Sequence, residues 1–154
     1  MLIYRQNIIS QKRSVSKMVQ VIMGLKGSGK TKKLVDLVLK ADKEETGAVV
    51  CIEKDKKLTY DIPYSVRLIQ AGEYGISTVD LFKGFIAGLH SGNYDITQVF
   101  VDNFYKIIGT TDEAVVVSVL DWLEAFSQAN NVKFTLSISG DAETAGPEIK
   151  KYFI

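Results

Sequence analysis

The chain has 154 residues, 46% of them apolar, and a formal net charge of +1, which is one domain's worth of sequence with material for a real core. No apolar run approaches the roughly 18 residues that a bilayer-spanning helix needs, and the single cysteine, Cys51, excludes an internal disulfide and a four-cysteine zinc site. Charge is unevenly spread: residues 1–17 hold Arg5, Lys12, Arg13 and Lys17 and no acid, leaving 15 basic and 18 acidic side chains in the remainder. A slightly acidic body offers no basic footprint for nucleic acid, and the whole reads as a cytoplasmic protein.

Residues 1–17 lack the apolar stretch of a secretory signal and read as a basic extension ahead of a domain at 18–154. Two expectations stand for it: a disordered or loosely attached lead, or an arm that meets a partner or adds an edge strand through Leu2-Ile3-Tyr4. Val19-Gln20-Val21-Ile22-Met23 then reads as a short buried parallel strand. It runs into Gly24-Leu25-Lys26-Gly27-Ser28-Gly29-Lys30-Thr31, which fits the phosphate-loop pattern G-x-x-x-x-G-K-[ST] in every fixed position. Glycines there permit φ values that side chains forbid, so that backbone N–H groups can surround phosphate oxygens. Lys30 is expected to reach the β- and γ-phosphates and the Thr31 hydroxyl to ligate Mg²⁺. Four fixed letters can coincide by chance, and the pattern requires a strand before the loop and a helix after it. Leu34, Leu37, Val38 and Ala41, at i, i+3, i+4 and i+7, supply the helix. Gly24, Lys26, Gly27, Ser28, Gly29, Lys30 and Thr31 are therefore expected to hold the phosphates of ATP or GTP, with Mg²⁺ as cofactor.

Thr46-Gly47 breaks the helical pattern, and residues 48–53 read as a second buried strand in which Cys51 is a small hydrophobe. Residues 54–65 are polar and contain a proline, which predicts a loop. Residues 66–70 read as a third strand, and Gly72 and Gly75 bracket a turn. Ser77-Thr78-Val79-Asp80 resembles a capping box opening a helix to about His90, with Val79, Phe82, Ile86 and Leu89 on one face; Ser91-Gly92-Asn93 stops it. Residues 97–102 form the fourth strand. Thr110-x-x-Glu113 caps a second helix that buries Val116, Val119, Leu120, Leu123 and Phe126 and turns Asp112, Glu113, Asp121 and Glu124 outward. Asn130-Asn131 ends it, residues 133–139 form the fifth strand, and a last helical piece follows Pro147. Strands alternating with helices predict an α/β three-layer sandwich around a mostly parallel, about five-stranded sheet, with the ligand at the carboxyl ends of the strands.

Asp102 closes the apolar run Val99-Phe100-Val101, the pattern of a strand-end carboxylate that holds Mg²⁺ beside Thr31; Glu53, ending the second strand, is the rival acid. Asn103 stands where many P-loop ATPases carry the Glu that orients the attacking water. An amide can hold a water but cannot take its proton, so Asn103 is at most a weak catalytic candidate beside Lys30, and fast hydrolysis by that route is not expected. Glu73, Asp95 and Asp141 are the other acids near predicted loops. Lys26 follows Leu25, whereas in one branch of dimeric P-loop ATPases a lysine directly follows the first glycine and reaches the partner's nucleotide. Here it reads as solvated or phosphate-facing. Arg67 and His90 read as structural, Ser137 and Ser139 as a shared strand face able to carry a polar sensor near the γ-phosphate, and Phe104 and Tyr105 as core or base-stacking rings.

Two resemblances rest on these residues. The order of loop, helix, strand, polar excursion, strand, helix and Val99-Phe100-Val101-Asp102 strand resembles the cellular type of thymidine kinase, which implies a RecA-like P-loop NTPase core with Thr31 and Asp102 serving the metal and Lys30 the phosphates. That family's base, a Glu after the strand-end Asp, is Asn103 here, and its four-cysteine zinc lobe has no counterpart. Residues 18–154 as a whole resemble a small bacterial family of P-loop proteins whose members sometimes carry a twitching-motility ATPase label; the acidic and histidine boxes of pilus-retraction motors are not found in this chain. The expectation is a nucleoside triphosphate binding protein with slow or partner-dependent hydrolysis in an accessory or switch role. A small-molecule kinase of the nucleoside type, with residues 54–65 as lid, and a nucleotide-binding protein without turnover are the alternatives. No membrane is expected as a partner, and a homo-oligomer is compatible with the sequence.

Overall fold

The computed structural model describes residues 17–154; the two expectations for the basic extension concern residues that lie outside the described ones, Lys17 excepted. Five strands, β1 (Val19–Gly24), β2 (Ala48–Glu53), β3 (Arg67–Gln70), β4 (Ile96–Val101) and β5 (Lys133–Ser139), form one sheet in the order β1-β5-β4-β2-β3. Every pairing is parallel. The sheet is thus the expected one, with parallel pairing throughout.

Alternation along the strands sorts the core into two layers. Val50, Ile52, Val99, Val101, Phe134, Leu136 and Ile138 face α2 (Val79–Gly92), α3 (Phe104–Ile108) and α4 (Glu113–Asn130). Val49, Cys51, Phe100 and Ile22 face α1 (Lys30–Glu44), which buries Leu34, Val38 and Ala41 against them. The loop of residues 54–66 lies on that second face and anchors itself there through Leu58, Ile62 and Val66. Each of these aliphatic side chains contributes about 1.5–3 kcal/mol by leaving water. Together they make a three-layer sandwich, with helices on both faces.

The free edge of β1 is covered by the chain's end. After α5 (Pro147–Lys150), Tyr152 O accepts the N–H of Val21 at 2.8 Å and Ile154 N–H returns to Val21 O at 3.2 Å. No helix among the described residues is long and apolar enough to cross a membrane.

Four local expectations are corrected. Thr78 Oγ1, one residue later than the expected box opens, caps α2 by accepting the N–H of Leu81 at 3.2 Å. Asp112 Oδ1 caps α4 on the N–H of Val115 at 3.1 Å, while Thr110 Oγ1 accepts Asp112 N–H instead. A carboxylate is the better partner for the positive end of an 18-residue helix. The helix α3 was not foreseen, because five residues show no helical period. Asp102 lies just beyond β4, where Asn103 at φ +58 turns the chain out of the sheet into α3.

Candidate functional site

Since all five strands run the same way, their carboxyl ends share one edge, and the chemistry-bearing residues collect there. β1 ends at Gly24, and the loop of residues 25–29 follows, exposed throughout. Gly27 at φ +82 and Gly29 at φ +85 take the left-handed conformations that residues with a Cβ avoid, so two of the three motif glycines are required by backbone shape. The loop closes on itself once, through Ser28 N–H to Leu25 O at 3.0 Å. Among the described residues the N–H groups of Lys26, Gly27, Gly29, Lys30 and Thr31 have no acceptor. Consecutive unpaired donors leading into the first turn of α1, where the helix dipole is positive, form an environment suited to an anion. Lys30 opens α1 half-exposed, and Lys26 is exposed in the loop.

The metal candidates are brought together. Thr31 Oγ1 donates to Asp102 Oδ1 at 3.3 Å. Asp102 comes not from the strand beside β1 but from the next one over, because β5 lies between β1 and β4. β5 fills the gap with Ser137, level with Asp102 by the pairing of Val101 with Leu136 one step earlier. Ser137 Oγ donates to Asp102 Oδ1 at 2.7 Å and accepts the N–H of Asn103 at 2.8 Å. It is wholly buried. Ser139 ends β5, exposed, opposite Gly24.

Thr31, Glu53, Lys54, Asp55, Lys57, Asp102 and Asn103 line a cleft of about 100 Å³. It opens between the carboxyl ends of β2 and β4, strands whose following segments leave to opposite faces of the sheet. Such a topological switch point is where open parallel sheets bind ligands. Glu53 shares the cleft but is otherwise engaged: its Oε1 accepts the N–H groups of Lys57 at 2.7 Å and Leu58 at 3.1 Å, and Gln70 Nε2 reaches its Oε2 at 3.5 Å. Beneath both carboxylates lies Cys51, whose thiol is pushed well above its ordinary range by burial and then by the negative charges of Asp102 and Glu53. A thiol so held is inert, in keeping with its reading as a core side chain.

The donor set suits Mg²⁺. A hydroxyl and a carboxylate are hard oxygen ligands, and Mg²⁺ is ordinarily held by one or two protein oxygens together with substrate phosphates rather than by an all-protein cage. Among the described residues no group of three or more His, Cys, Asp or Glu side chains converges.

Other candidates lie elsewhere. Arg67 opens β3 at the amino edge of the sheet. His90 lies near the C-terminus of α2 between the rings of Tyr94 and Phe126, at 5.4 and 5.7 Å, and its buried Nδ1 has no partner among the described residues. Phe104 is buried edge-on against Phe82 at 5.6 Å and cannot stack on a base; Tyr105 stays half-buried beside a groove with Lys106 and Thr110. Glu73, just past the carboxyl end of β3, pairs with Lys56 at 2.9 Å on the surface; Asp95 precedes β4 at the amino edge; and Asp141, exposed after β5, shares the carboxyl edge with the loop.

Sequence reasoning missed the part of Ser137 in holding Asp102 and the presence of Lys54 and Lys57 in the cleft. The first left no distinct signal, since Ser137 is one of the alternating polar residues of β5; nor did the second, since no spacing rule predicts where a loop returns. Compared with known proteins, the chain matches no family model and no curated protein.

Proposed function

We propose that this chain binds a nucleoside triphosphate with Mg²⁺ in the cleft between residues 24–31 and Asp102, on a P-loop core of RecA-like type. The observation that carries the reading is the hydrogen bond from Thr31 Oγ1 to Asp102 Oδ1 at 3.3 Å. Two segments chosen from sequence as the metal's two ligands, 71 residues apart, meet where the loop opens. Thr31, Asp102 and the phosphates would hold Mg²⁺, which neutralises phosphate charge when bound. The protein's own work is then to position: unpaired loop N–H groups and Lys30 orient the β- and γ-phosphates, and the α1 N-terminus adds its dipole beneath them.

Hydrolysis is expected to be slow or partner-dependent. Asn103 occupies the left-handed region at φ +58, where asparagine is tolerated far better than glutamate. The amide at this position thus suits the backbone, and it offers no base for an attacking water. An accessory or switch role follows from binding that outlasts turnover.

Calorimetric titration of Mg-ATP and Mg-GTP into the wild type and Lys30→Ala tests the reading. Binding by the wild type and its loss in a folded Lys30→Ala variant are expected; equal affinity in both would sink it. A kinase is the second reading, favoured by one observation. The segment after β2 and β3 enclose a cleft of about 400 Å³ lined by Thr59, Tyr64, Arg67 and Gln70, and Gln70 reaches Glu53 in the first cleft. Transfer of a labelled γ-phosphate to a nucleoside would favour it; binding with background hydrolysis would leave a nucleotide-binding protein without turnover.

A further inference from the structure

Ser137 lies on the face of β5 that α1 covers, in line with Lys133, Thr135 and Ser139, and it is completely buried. A hydroxyl has one proton to give and can accept as well. Ser137 Oγ takes the N–H of Asn103 at 2.8 Å, so its own proton goes to Asp102 Oδ1 at 2.7 Å. The bonds run one way, from backbone amide to hydroxyl to carboxylate, and each polarises the next. Thr31 donates to the same Oδ1 at 3.3 Å. Oδ1 therefore receives two hydroxyl protons, while Oδ2 has no hydrogen-bond donor among the described residues. Thr31, with its proton directed at Asp102, keeps its lone pairs for a cation.

We propose that Ser137 is a positioning residue for the Mg²⁺ complex of the nucleotide. It touches neither metal nor phosphate; it fixes the Asp102 carboxylate, and with it the share of nucleotide affinity that Mg²⁺ supplies. This rests on the reading of the cleft as a Mg²⁺-nucleotide site, and it differs from a γ-phosphate sensor, one of the two readings of Ser137 in the sequence, since the hydroxyl's one proton is directed at Asp102. A merely structural serine would cost stability when removed but would leave the effect of Mg²⁺ on binding unchanged.

The test is nucleotide affinity by calorimetry, once with excess Mg²⁺ and once with EDTA, for wild type, Ser137→Ala and Ser137→Cys. Hydrogen bonds from outer residues to metal ligands are worth about 10–100-fold in metal affinity, so Ser137→Ala should lose about tenfold or more in Mg²⁺ and nothing in EDTA. Ser137→Cys, similar in size but a weak hydrogen-bonder, should lose as much, which separates the hydroxyl from the space it fills. Independently of any ligand, the Asn103 amide should exchange slowly in the wild type and faster in both variants. A full Mg²⁺ effect retained in Ser137→Ala, or equal losses with and without Mg²⁺, would overturn the assignment while leaving the nucleotide site standing. A wild type that binds no nucleotide would overturn the underlying reading and this assignment with it.

Discussion

Asp102 and Glu53 leave the sheet at neighbouring strand ends and face one cleft, yet they are held by different parts of the chain. Asp102 is held by hydroxyls of Thr31 and Ser137, 71 and 35 residues away, and keeps one oxygen free of hydrogen bonds from the described residues. Glu53 is held mainly by backbone N–H groups four and five residues on, with Gln70 on its second oxygen. The first arrangement exists only once the sheet is assembled; the second resembles a side chain capping its own turn. A carboxylate fixed from outside with an oxygen to spare is equipped for a ligand, and one filled by its own loop is equipped to shape that loop. Asp102 and Glu53, rivals as strand-end acids, are thereby separated.

The largest effect expected lies outside the pair. Lys30→Ala should weaken Mg-ATP binding by at least about a hundredfold, or about 2.7 kcal/mol. Thermal stability should stay within about 0.5 kcal/mol, since Lys30 is half-exposed and bears on no core contact. Calorimetry and a melting curve measure both.

The pair itself should then split. Asp102→Asn keeps an acceptor for Thr31 and Ser137 but removes the charge. Affinity in Mg²⁺ should fall about 10–100-fold, with little change in EDTA. Glu53→Gln should leave affinity nearly intact and lower stability by about 1–3 kcal/mol, through buried N–H groups that lose an ionised acceptor. The opposite pattern in chemical denaturation and titration would exchange the roles of the two acids and make Glu53 the metal ligand.

How far this was legible beforehand depends on range. β2 and β5 lie at their expected bounds, because β-branched and apolar runs flanked by Thr46-Gly47 and Asn130-Asn131 are local signals. The place and shape of the glycine loop were legible for the same reason: strand, positive-φ glycines and helix follow one another locally. The order of strands was not. The strands that carry the glycine loop and Asp102 can be read as neighbours, but nothing in either says that β5 slides between them, and so the bond from Ser137 to Asp102 was not legible. Asn103 illustrates the same limit from the other side. Its departure from Glu was plain, whereas its positive φ, the physical ground for an amide there, became visible only in the backbone.

That ground is itself testable. Asn103→Glu places a carboxylate there but forces it into the left-handed region, at about 1–2 kcal/mol for an ordinary residue and somewhat less by difference from asparagine. Stability should therefore fall by about 1 kcal/mol, with no gain in ATP turnover, while Asn103→Gly should fold at least as well. A large rise in hydrolysis by Asn103→Glu would show that the backbone accommodates the base and that only its chemistry was missing.

The smallest effect reads the charges beneath the cleft. Burial and then the carboxylates of Asp102 and Glu53 raise the Cys51 thiol in the folded chain. In the unfolded chain it ionises near its ordinary value of about 8.5. Because the folded value is the higher one, the thiol's contribution to stability is complete below about pH 8.5 and declines as pH rises above it. Wild type and Cys51→Ala should hence converge in relative stability across the alkaline range. Denaturant melts between pH 7 and 10 measure it. A Cys51 thiol that reacted with an aromatic disulfide reagent as fast in the folded protein as in the unfolded one would mean that the floor of the cleft is open, and that the two carboxylates are not held apart from solvent on the core side.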